Sequence, residues 1–542
     1  MFGSLSPHHL TRHRARTAPA ETPPAESTGA GVILALVAMG LGVIVLAQDF
    51  AAMNVALPNI EHDFDSGIST VQWVINAYAL VFAMLIVPGG KLADQFGRRR
   101  IFFIGSIIFG LMSFAAGVAP NVYVLIAARA LMGIGGALMW PAILGMTYAA
   151  LPASKAGLAG GLIIGAAGVG QAIGPINGGI LTELVSWRWI QLINLPIVVF
   201  AIVVTWAEIH QPATQNARQP TDRAGIATLS FGLLAILLAL DQSVAWGWGD
   251  PRIIALLVLA AVLLTAFVFI ERTAGENALV PPSVMANHRF AGTCICIALI
   301  AVPFFAALLY LPQYMQKLLL YSPIKAGLGM LPMMLMFAVV SFVGGQLYDR
   351  LGARAMVTGG AACLAIGPFL LSFAGTSSGY AMLVPGMVVL GLGLGLFFSS
   401  ATTAGVESVA AARTALAGGI IYMFQIGGGS VGLGLTTSVI TSVAQNRLTA
   451  DLARLGIPVT AAQTLALHGL LAGSETAKQV AQSLTLPAGV NLTGLTSDAF
   501  VAGLTAGYRV DAALALAAVV IAASAIGATI KAAAGADVPS RR

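Results

Sequence analysis

The sequence predicts an all-α polytopic membrane protein with two pseudo-symmetric six-helix bundles plus two additional central transmembrane helices, fourteen crossings in total. Three observations carry this prediction. Composition comes first: 58% of residues are hydrophobic and 9% charged, with a mean hydropathy of +0.89, far outside the range of soluble chains. Second, the apolar runs reach the roughly 20 helical residues that a bilayer crossing needs, and they are continuous rather than alternating, which excludes barrel strands. Third, Gly90-Lys91-Leu92-Ala93-Asp94-Gln95-Phe96-Gly97-Arg98-Arg99 recurs as Gly345-Gln346-Leu347-Tyr348-Asp349-Arg350-Leu351-Gly352-Ala353-Arg354, each copy a polar turn wedged between two long apolar runs. A turn kept in both halves of a duplication does the same mechanical job twice, and these residues suit helix hinging.

The elements follow in order. Residues 1–30 carry Arg12, Arg14 and Arg16 and then Thr22-Pro23-Pro24, without an apolar face, and read as a disordered cytosolic tail. A cleaved signal fits poorly, because the first apolar run is too long and contains Asp49. Runs beginning near Gly31, Ile68, Ile101, Val122, Ala156 and Trp189 make an N-terminal bundle over 31–210. The spacing of the repeat exceeds what six crossings need, so 211–285 holds two further helices, from Ala224 and Ile253. Asp241 and the turn Trp246-Gly247-Trp248-Gly249 suit an interfacial anchor there and a peripheral position for the pair. Runs from Ala291, Ile324, Ala353, Gly379, Ala415 and Asp511 form the C-terminal bundle over 286–533, followed by a cytosolic tail at 534–542. Within it, 444–507 turns polar and reads as one outer loop capped by small amphipathic helices.

Other landmarks keep the register of the duplication. Gly133 and Gly135 reappear as Gly391 and Gly393, Gly160-Gly161, Gly170 and Gly174 as Gly418-Gly419, Gly428 and Gly432, and Leu57-Pro58 as Leu311-Pro312. With both ends cytosolic, most of the 27 Lys and Arg residues fall on the inner side, as the positive-inside rule requires. The net charge of +6 therefore follows from topology, and no nucleic-acid partner is expected. Cys294, Cys296 and Cys363 all lie in apolar runs and imply no disulfide framework. The seven His residues lie in the tail, connections or helix ends, so no metal site is expected in the membrane core.

Asp49 and Arg129 are the charges that the apolar runs must hide. On insertion scales each costs about 2.5 to 3.5 kcal/mol at the bilayer centre, so both are expected to face the bundle interior. An enclosed carboxylate can carry protons if a conformational change alters its hydration or the approach of a guanidinium; the alternative is a permanent structural ion pair. Arg129 stays charged and is suited to tuning, on a helix face that Gly133 and Gly136 keep clear of bulk. In the fifth run, Gly170, Gly174 and Gly178 lie on one helix face and Gly161, Gly165 and Gly168 on another. Pro175 frees the carbonyl of Gln171 and should bend the helix. Tight small-residue packing and gating both account for this pattern. In the turns, Gly90, Asp94, Gly97, Arg98, Arg99, Asp349 and Arg354 form a gating loop, with Asp94 and Asp349 beside the start of the following helix, where its dipole favours a carboxylate. Simple retention of the loop in the cytosol is the plainer account of these charges. Polar and aromatic groups in or bordering apolar helices supply a substrate cavity: Asn54, Tyr78, Trp140, Gln171, Asn177, Gln191, Tyr310, Gln313, Tyr314, Tyr422, Phe424 and Gln425. Together with 18 Met and 24 Phe, they suggest a wide, adaptable and mostly apolar space for amphiphilic organic molecules.

These residues resemble a known family. From about Gly31 to about Lys531 the chain is similar to the major facilitator superfamily and, within it, to the fourteen-helix drug:proton antiporters. Gly90 to Arg100 looks like the superfamily's loop signature between helices 2 and 3. Asp49 with Asn54-Val55-Ala56-Leu57-Pro58 is similar to the helix 1 signature of the fourteen-helix group, and Trp187-Arg188-Trp189 with Asn194-Leu195-Pro196 to its helix 6 entry. Gly161, Gly170, Gly174-Pro175 and Gly178-Gly179 match the exporter signature in helix 5, which implies outward transport. Two departures stand out. Arg129 is followed by Met132-Gly133 where the family usually has Gln-Gly, and Leu433 and Met387 occupy the second-half places of Pro175 and Arg129. The resemblance thus implies proton chemistry concentrated in the first half, at Asp49 and Arg129.

Competing functions lack their residues. Pro88-Gly89-Gly90-Lys91-Leu92 misses the first glycine and the hydroxyl of a phosphate loop, and Gly391-Leu392-Gly393-Leu394-Gly395 lies inside an apolar run rather than after a strand. A membrane enzyme would need His, Cys or paired carboxylates in the core. The expectation is a monomeric, non-enzymatic proton-coupled exporter in the cytoplasmic membrane, with no cofactor beyond the proton gradient. A proton-coupled importer of a small nutrient is the alternative, and a binding-only receptor a third class.

Overall fold

The computed structural model describes residues 29–66, 68–209, 222–246, 249–275, 278–455, 457, 463 and 491–526. Among these, fourteen helices are long and apolar enough to cross a membrane, and no strand occurs. They are α1 (Gly29–Phe64), α2 (Trp73–Phe96), α3 (Arg98–Gly117), α4 (Val122–Ala150), α5 (Ala156–Leu184), α6 (Arg188–Glu208, interrupted at Ile193), α7 (Arg223–Trp246) and α8 (Pro251–Ala274). The remainder are α9 (His288–Lys317), α10 (Leu331–Leu351), α11 (Ala353–Leu371), α12 (Tyr380–Glu407), α13 (Thr414–Arg454) and α14 (Leu492–Ala525). Side-chain caps fix several starts: Asn121 accepts from Val124 N, Asn287 from Arg289 N, and Asp250, ahead of Pro251, from Arg252 N, each satisfying an amide that the first turn leaves open.

Several boundaries differ from the sequence reading. The runs from Ile68 and Ile324 are each broken, into Ile68–Val71 before α2 and Pro323–Gly329 before α10. The last crossing differs most. It begins at Leu492, capped by Asn491, so Asp511 lies near the middle of α14 rather than at its start. Thr493, Thr496, Ser497 and Asp498 give the first turns a loop-like composition. Gly503 and Gly507 nevertheless bring this helix against Ile440 and Thr436 of α13, and packing outweighs composition. Since α13 runs on to Arg454, much of the expected outer loop at 444–507 is helix. Residues 464–490 of that loop lie outside the described residues, as do 1–28, Gly247, Trp248, the side chain of Asp241 and the 534–542 tail.

Two glycine-rich helices join the halves. On α5, a Cβ at Gly170, Gly174 or Gly178 would press on Ile44, Gln48, Ala51 and Ala52 of α1, whereas one at Gly161, Gly165 or Gly168 would press on Phe337, Ala338, Ser341 and Phe342 of α10. One track therefore seals α5 within its own half and the other seals it to the opposite half. The second half repeats the arrangement, with Gly428 and Gly432 of α13 against Ala298 and Val302 of α9, and Gly419 against Ile86 and Val87 of α2. The extra pair, α7 and α8, pack on each other, and α7 lies along α2 and α13.

Candidate functional site: a buried ion pair beside a central cavity

Asp49 and Arg129 are fully buried and bonded to each other, Nη1 of Arg129 donating to Oδ2 of Asp49. Gly133 and Gly136, on the face of α4 beside Arg129, let α2 approach so closely that added Cβ atoms would meet Tyr78 and Phe82. That approach puts Val74 O 2.9 Å from Arg129 Nε and the Tyr78 ring 4.5 Å below the guanidinium carbon, a cation–π stack in a site without water-like dielectric. Met132, where the family pattern has Gln, turns its sulfur to Arg129 Nη1 at 3.9 Å. Nη2 of Arg129 makes no hydrogen bond.

The second carboxylate oxygen of Asp49 leads into a polar relay. Asn194 at the start of the longer part of α6 donates from Nδ2 to Asp49 Oδ1 at 3.1 Å and to Ser113 Oγ at 3.0 Å. Its Oδ1 accepts from Gln48 Nε2 at 2.8 Å, and Gln48 Oε1 accepts from Asn177 Nδ2 at 3.0 Å. Ser113 donates to Gln191 O at 2.7 Å, and Gln191 Nε2 lies 3.1 Å from Met53 Sδ. Buried polar groups so fully engaged hold one geometry, and a change in charge at Asp49 is felt through four helices.

A cavity of about 160 Å³ lies between the halves, next to this pair. Phe50, Tyr78, Phe82, Trp140 and Gln171 line it from one side and Phe304, Phe337, Phe398, Tyr422, Gln425 and Ser430 from the other. Tyr422 meets Trp140 at 4.3 Å and Phe82 at 5.6 Å between ring centroids, so aromatic rings close the two halves on each other. The expected wide space is contracted: sites that bury a drug-sized ligand measure about 300 to 1,000 Å³, so the halves must part to admit one. Tyr78 belongs to both features, with Arg129 over its ring and the cavity beside it.

At the end bearing the two repeated turns, the halves are latched. Gly97 and Gly352 take φ of 100° and 82°, the left-handed conformation that lets α2 and α10 end and the next helix begin within one residue. Asp94 accepts from Ala415 N at 3.2 Å and Leu416 N at 2.8 Å in the first turn of α13, and from Arg98 Nε at 3.0 Å. Arg98 also donates to Gly145 O and, across the halves, to Ala411 O. Asp349 accepts from Gly157 N at 3.1 Å in the first turn of α5. Each aspartate thus serves the helix dipole of the opposite half, not that of the helix following it in sequence, because it sits inside the last turn of its own helix and points across the interface. Tyr148 to Thr403 at 3.0 Å adds a further cross-half bond. Gly90 packs on Ala415, Arg99 donates to Trp206 O, and Arg354 is exposed.

The remaining residues named from sequence are dispersed. Tyr78, Trp140, Gln171, Tyr422 and Gln425 line the cavity, while Asn177 and Gln191 belong to the Asp49 relay. Asn54 donates to Phe50 O and is exposed. Tyr310 donates to Thr437, Tyr314 to Gly375 O, and Gln313 accepts from Lys317, all away from the cavity lining. Pro175 and Gly179 lie near Gly327 and Ile324, across the interface. Sequence reasoning missed Gln48 and Ser113. The adjacency of Gln48 to Asp49 was the available signal for one; a lone serine in an apolar run offers none.

Comparison with known proteins identifies the family and the fold. The model of the Major Facilitator Superfamily matches residues 39–433. The chain is similar to the puromycin resistance protein pur8 of Streptomyces alboniger, with 34% identity over 74% of this chain and 81% of that one. The multidrug resistance protein Stp of Mycobacterium tuberculosis is 32% identical over 76% of each, and the multidrug transporter protein MdtP of Bacillus subtilis 30% identical over 75% and 76%. Among solved structures, the human organic anion transporter MFSD10 and the proton:xylose symporter XylE share the fold, each with a TM-score of 0.57 at 13% identity, over 91% of this chain and 99% and 95% of theirs.

Proposed function

The chain belongs to the Major Facilitator Superfamily, and we propose that it exports amphiphilic organic compounds, antibiotics among them, across the cytoplasmic membrane in exchange for protons. The names of its relatives, puromycin resistance and multidrug resistance, support the cargo class. The observation that carries the coupling is the Asp49–Arg129 pair sealed behind Tyr78, whose ring also lines the cavity. A proton on Asp49 cancels its attraction for Arg129 and turns one acceptor oxygen into a donor, which loosens α1 from α4 and disturbs the Asn194 relay. Cargo entering beside Tyr78 disturbs the same wall from the other side. Each event therefore alters the free energy of the other.

In this reading both termini and the latched end are cytosolic, so the conformation described is closed to the cytosol. Two bundles rocking about the midplane cavity give alternating access. One proton moved inward across 100 mV yields about 2.3 kcal/mol, enough for a roughly fifty-fold gradient of a neutral solute. Import of a small nutrient is the competing direction.

Inverted membrane vesicles decide between them. Uptake of ethidium or puromycin on acidifying the lumen is expected for export, and its loss in Asp49→Asn for the carrier role. Uptake at the wild-type rate in Asp49→Asn would remove that role, and uptake driven only by the opposite gradient would reverse the direction.

A further inference from the structure

Beyond Asp49, the chain encloses another buried acid, in the second half, whereas the family resemblance implies proton chemistry concentrated in the first. Gly503, Gly507 and Asp511 lie one turn apart on one face of α14. The two glycines press on Ile440 and Thr436 of α13, and the third position brings the carboxyl of Asp511 to the Thr436 hydroxyl, which donates to Oδ1 at 2.5 Å. Asp511 is fully buried. Its other oxygen has no hydrogen-bond partner, and the hydroxyl of Tyr508, three residues earlier on the same helix, is likewise buried and unpartnered.

The surroundings are polar but uncharged. From α9, Tyr310 is the titratable group beside Asp511 and is itself bonded to Thr437 at 2.7 Å. Tyr314 lies toward Tyr508, while Cys296 meets α14 at Ala518 and Lys317 at Phe500, each about two turns or more from Asp511. From α13 come Thr436 and Thr437. On α11, which packs along α14, Cys363 faces Gly393 of α12 and Arg354 is exposed, as is Arg509 on α14 itself. Asp49 has a guanidinium and an amide; Asp511 has one hydroxyl and makes no ion pair among the described residues. A buried carboxylate without a counter-ion costs several kcal/mol, whereas the neutral acid needs only an acceptor for its proton. The unpartnered Oδ2 supplies the place for that proton. The Tyr508 hydroxyl, buried three residues earlier and not bonded to it in this conformation, is a further polar group of the site, and α13, which carries Ser430 in the cavity wall, connects the site to the moving interface.

We propose that Asp511, with Thr436 and Tyr508, is a second proton-binding site, loaded in the conformation described here and emptied when α13 moves. The ligand is the proton: an O–H bond forms on Oδ2 as water gives up a proton on one side of the membrane, and the proton returns to water on the other. The coupling part of this inference rests on the exporter reading above; the binding part does not.

Two measurements on the full-length protein in liposomes test it. Infrared difference spectra between acidic and alkaline buffer should contain a protonated-carboxyl band that Asp511→Asn removes and Asp49→Asn retains. A spectrum unchanged by Asp511→Asn overturns the proposal. Should that variant fail to fold, Thr436→Val serves instead: it displaces the pH at which the band disappears, and no displacement is equally fatal. The second measurement is the limiting accumulation of ethidium against ethidium exchange at equilibrium. Loss of one coupled proton lowers accumulation by about fifty-fold at 100 mV while exchange continues, and Asp511→Glu restores it. Accumulation equal to wild type in Asp511→Asn, or dependence on sodium rather than pH, refutes the site. If wild type shows no proton-driven accumulation, the exporter reading fails and the infrared spectra alone decide Asp511.

Discussion

The carboxylate of Asp94 accepts the backbone amide of Leu416 at 2.8 Å, although the two residues belong to opposite halves of the protein. Asp349 does the same for Gly157 in reverse. A carboxylate at a helix N-terminus contributes about 0.3 to 1 kcal/mol, and up to about 2 kcal/mol when partly buried. Two such contacts hold a closed state that thermal motion and a bound ligand can still break in every cycle.

Asp94→Asn should accordingly weaken closure by about 1 to 2 kcal/mol. Asp349→Asn should weaken it less, because Asp349 lacks the arginine that accompanies Asp94. Spin-label distances between the α2–α3 and α10–α11 turns read the result directly. Distance distributions identical to wild type in Asp94→Asn would contradict the latch.

The two glycine tracks of α5 should separate by phenotype. A Cβ at Gly174 would lie 2.6 Å from that of Ala51, and one at Gly161 2.6 Å from Ser341 O; overpacking of this kind costs about 1 to 3 kcal/mol. Gly174→Ala strains a single half and should lower the melting temperature in detergent. Gly161→Ala strains the boundary between halves and should slow transport while leaving melting near wild type. Equal melting losses in both would argue against the division.

Asn194→Ala removes three hydrogen bonds at once and leaves Asp49 Oδ1 short of a donor. A buried group so stranded costs about 1 to 3 kcal/mol, and the pH profile of transport should move as well. Gln48→Ala touches only the far side of the relay and should cost less. A larger loss in Gln48→Ala than in Asn194→Ala would invert the proposed order of the chain.

Tyr422→Ala should weaken binding of planar aromatic amphiphiles by about 1 kcal/mol, roughly fivefold, whereas Tyr422→Phe keeps the ring and should bind nearly as wild type. Quenching of Trp140, whose ring lies 4.3 Å from that of Tyr422, provides the titration. Weakening of the same size in Tyr422→Phe would shift the role from ring to hydroxyl.

Much of the architecture was readable in the residues because hydrocarbon imposes one rule everywhere: crossings must be helical, long and apolar. The rule failed at α14, where Thr493 to Asp498 look like loop and only tertiary contact at Gly503 and Gly507 reveals a helix. Asp49 and Arg129 were also readable, since charges in apolar runs are conspicuous. Their relay was not. Ser113 differs in no local way from polar residues facing elsewhere, Gln48 is marked only by adjoining Asp49, and Asp94 gives no hint that its partner amide lies in the opposite half.

The extra pair of helices has a consequence in the plane of the bilayer. The two halves meet along two seams, α5 with α10 and α2 with α13, and α7 covers the second. Lipid therefore touches the protein asymmetrically: a hydrophobic molecule diffusing in from the α2 side meets a helix where one approaching the α5 side meets the junction itself. Any sideways traffic between membrane and interior is thus given a handedness by a pair of helices that line neither the central cavity nor the Asp49 relay.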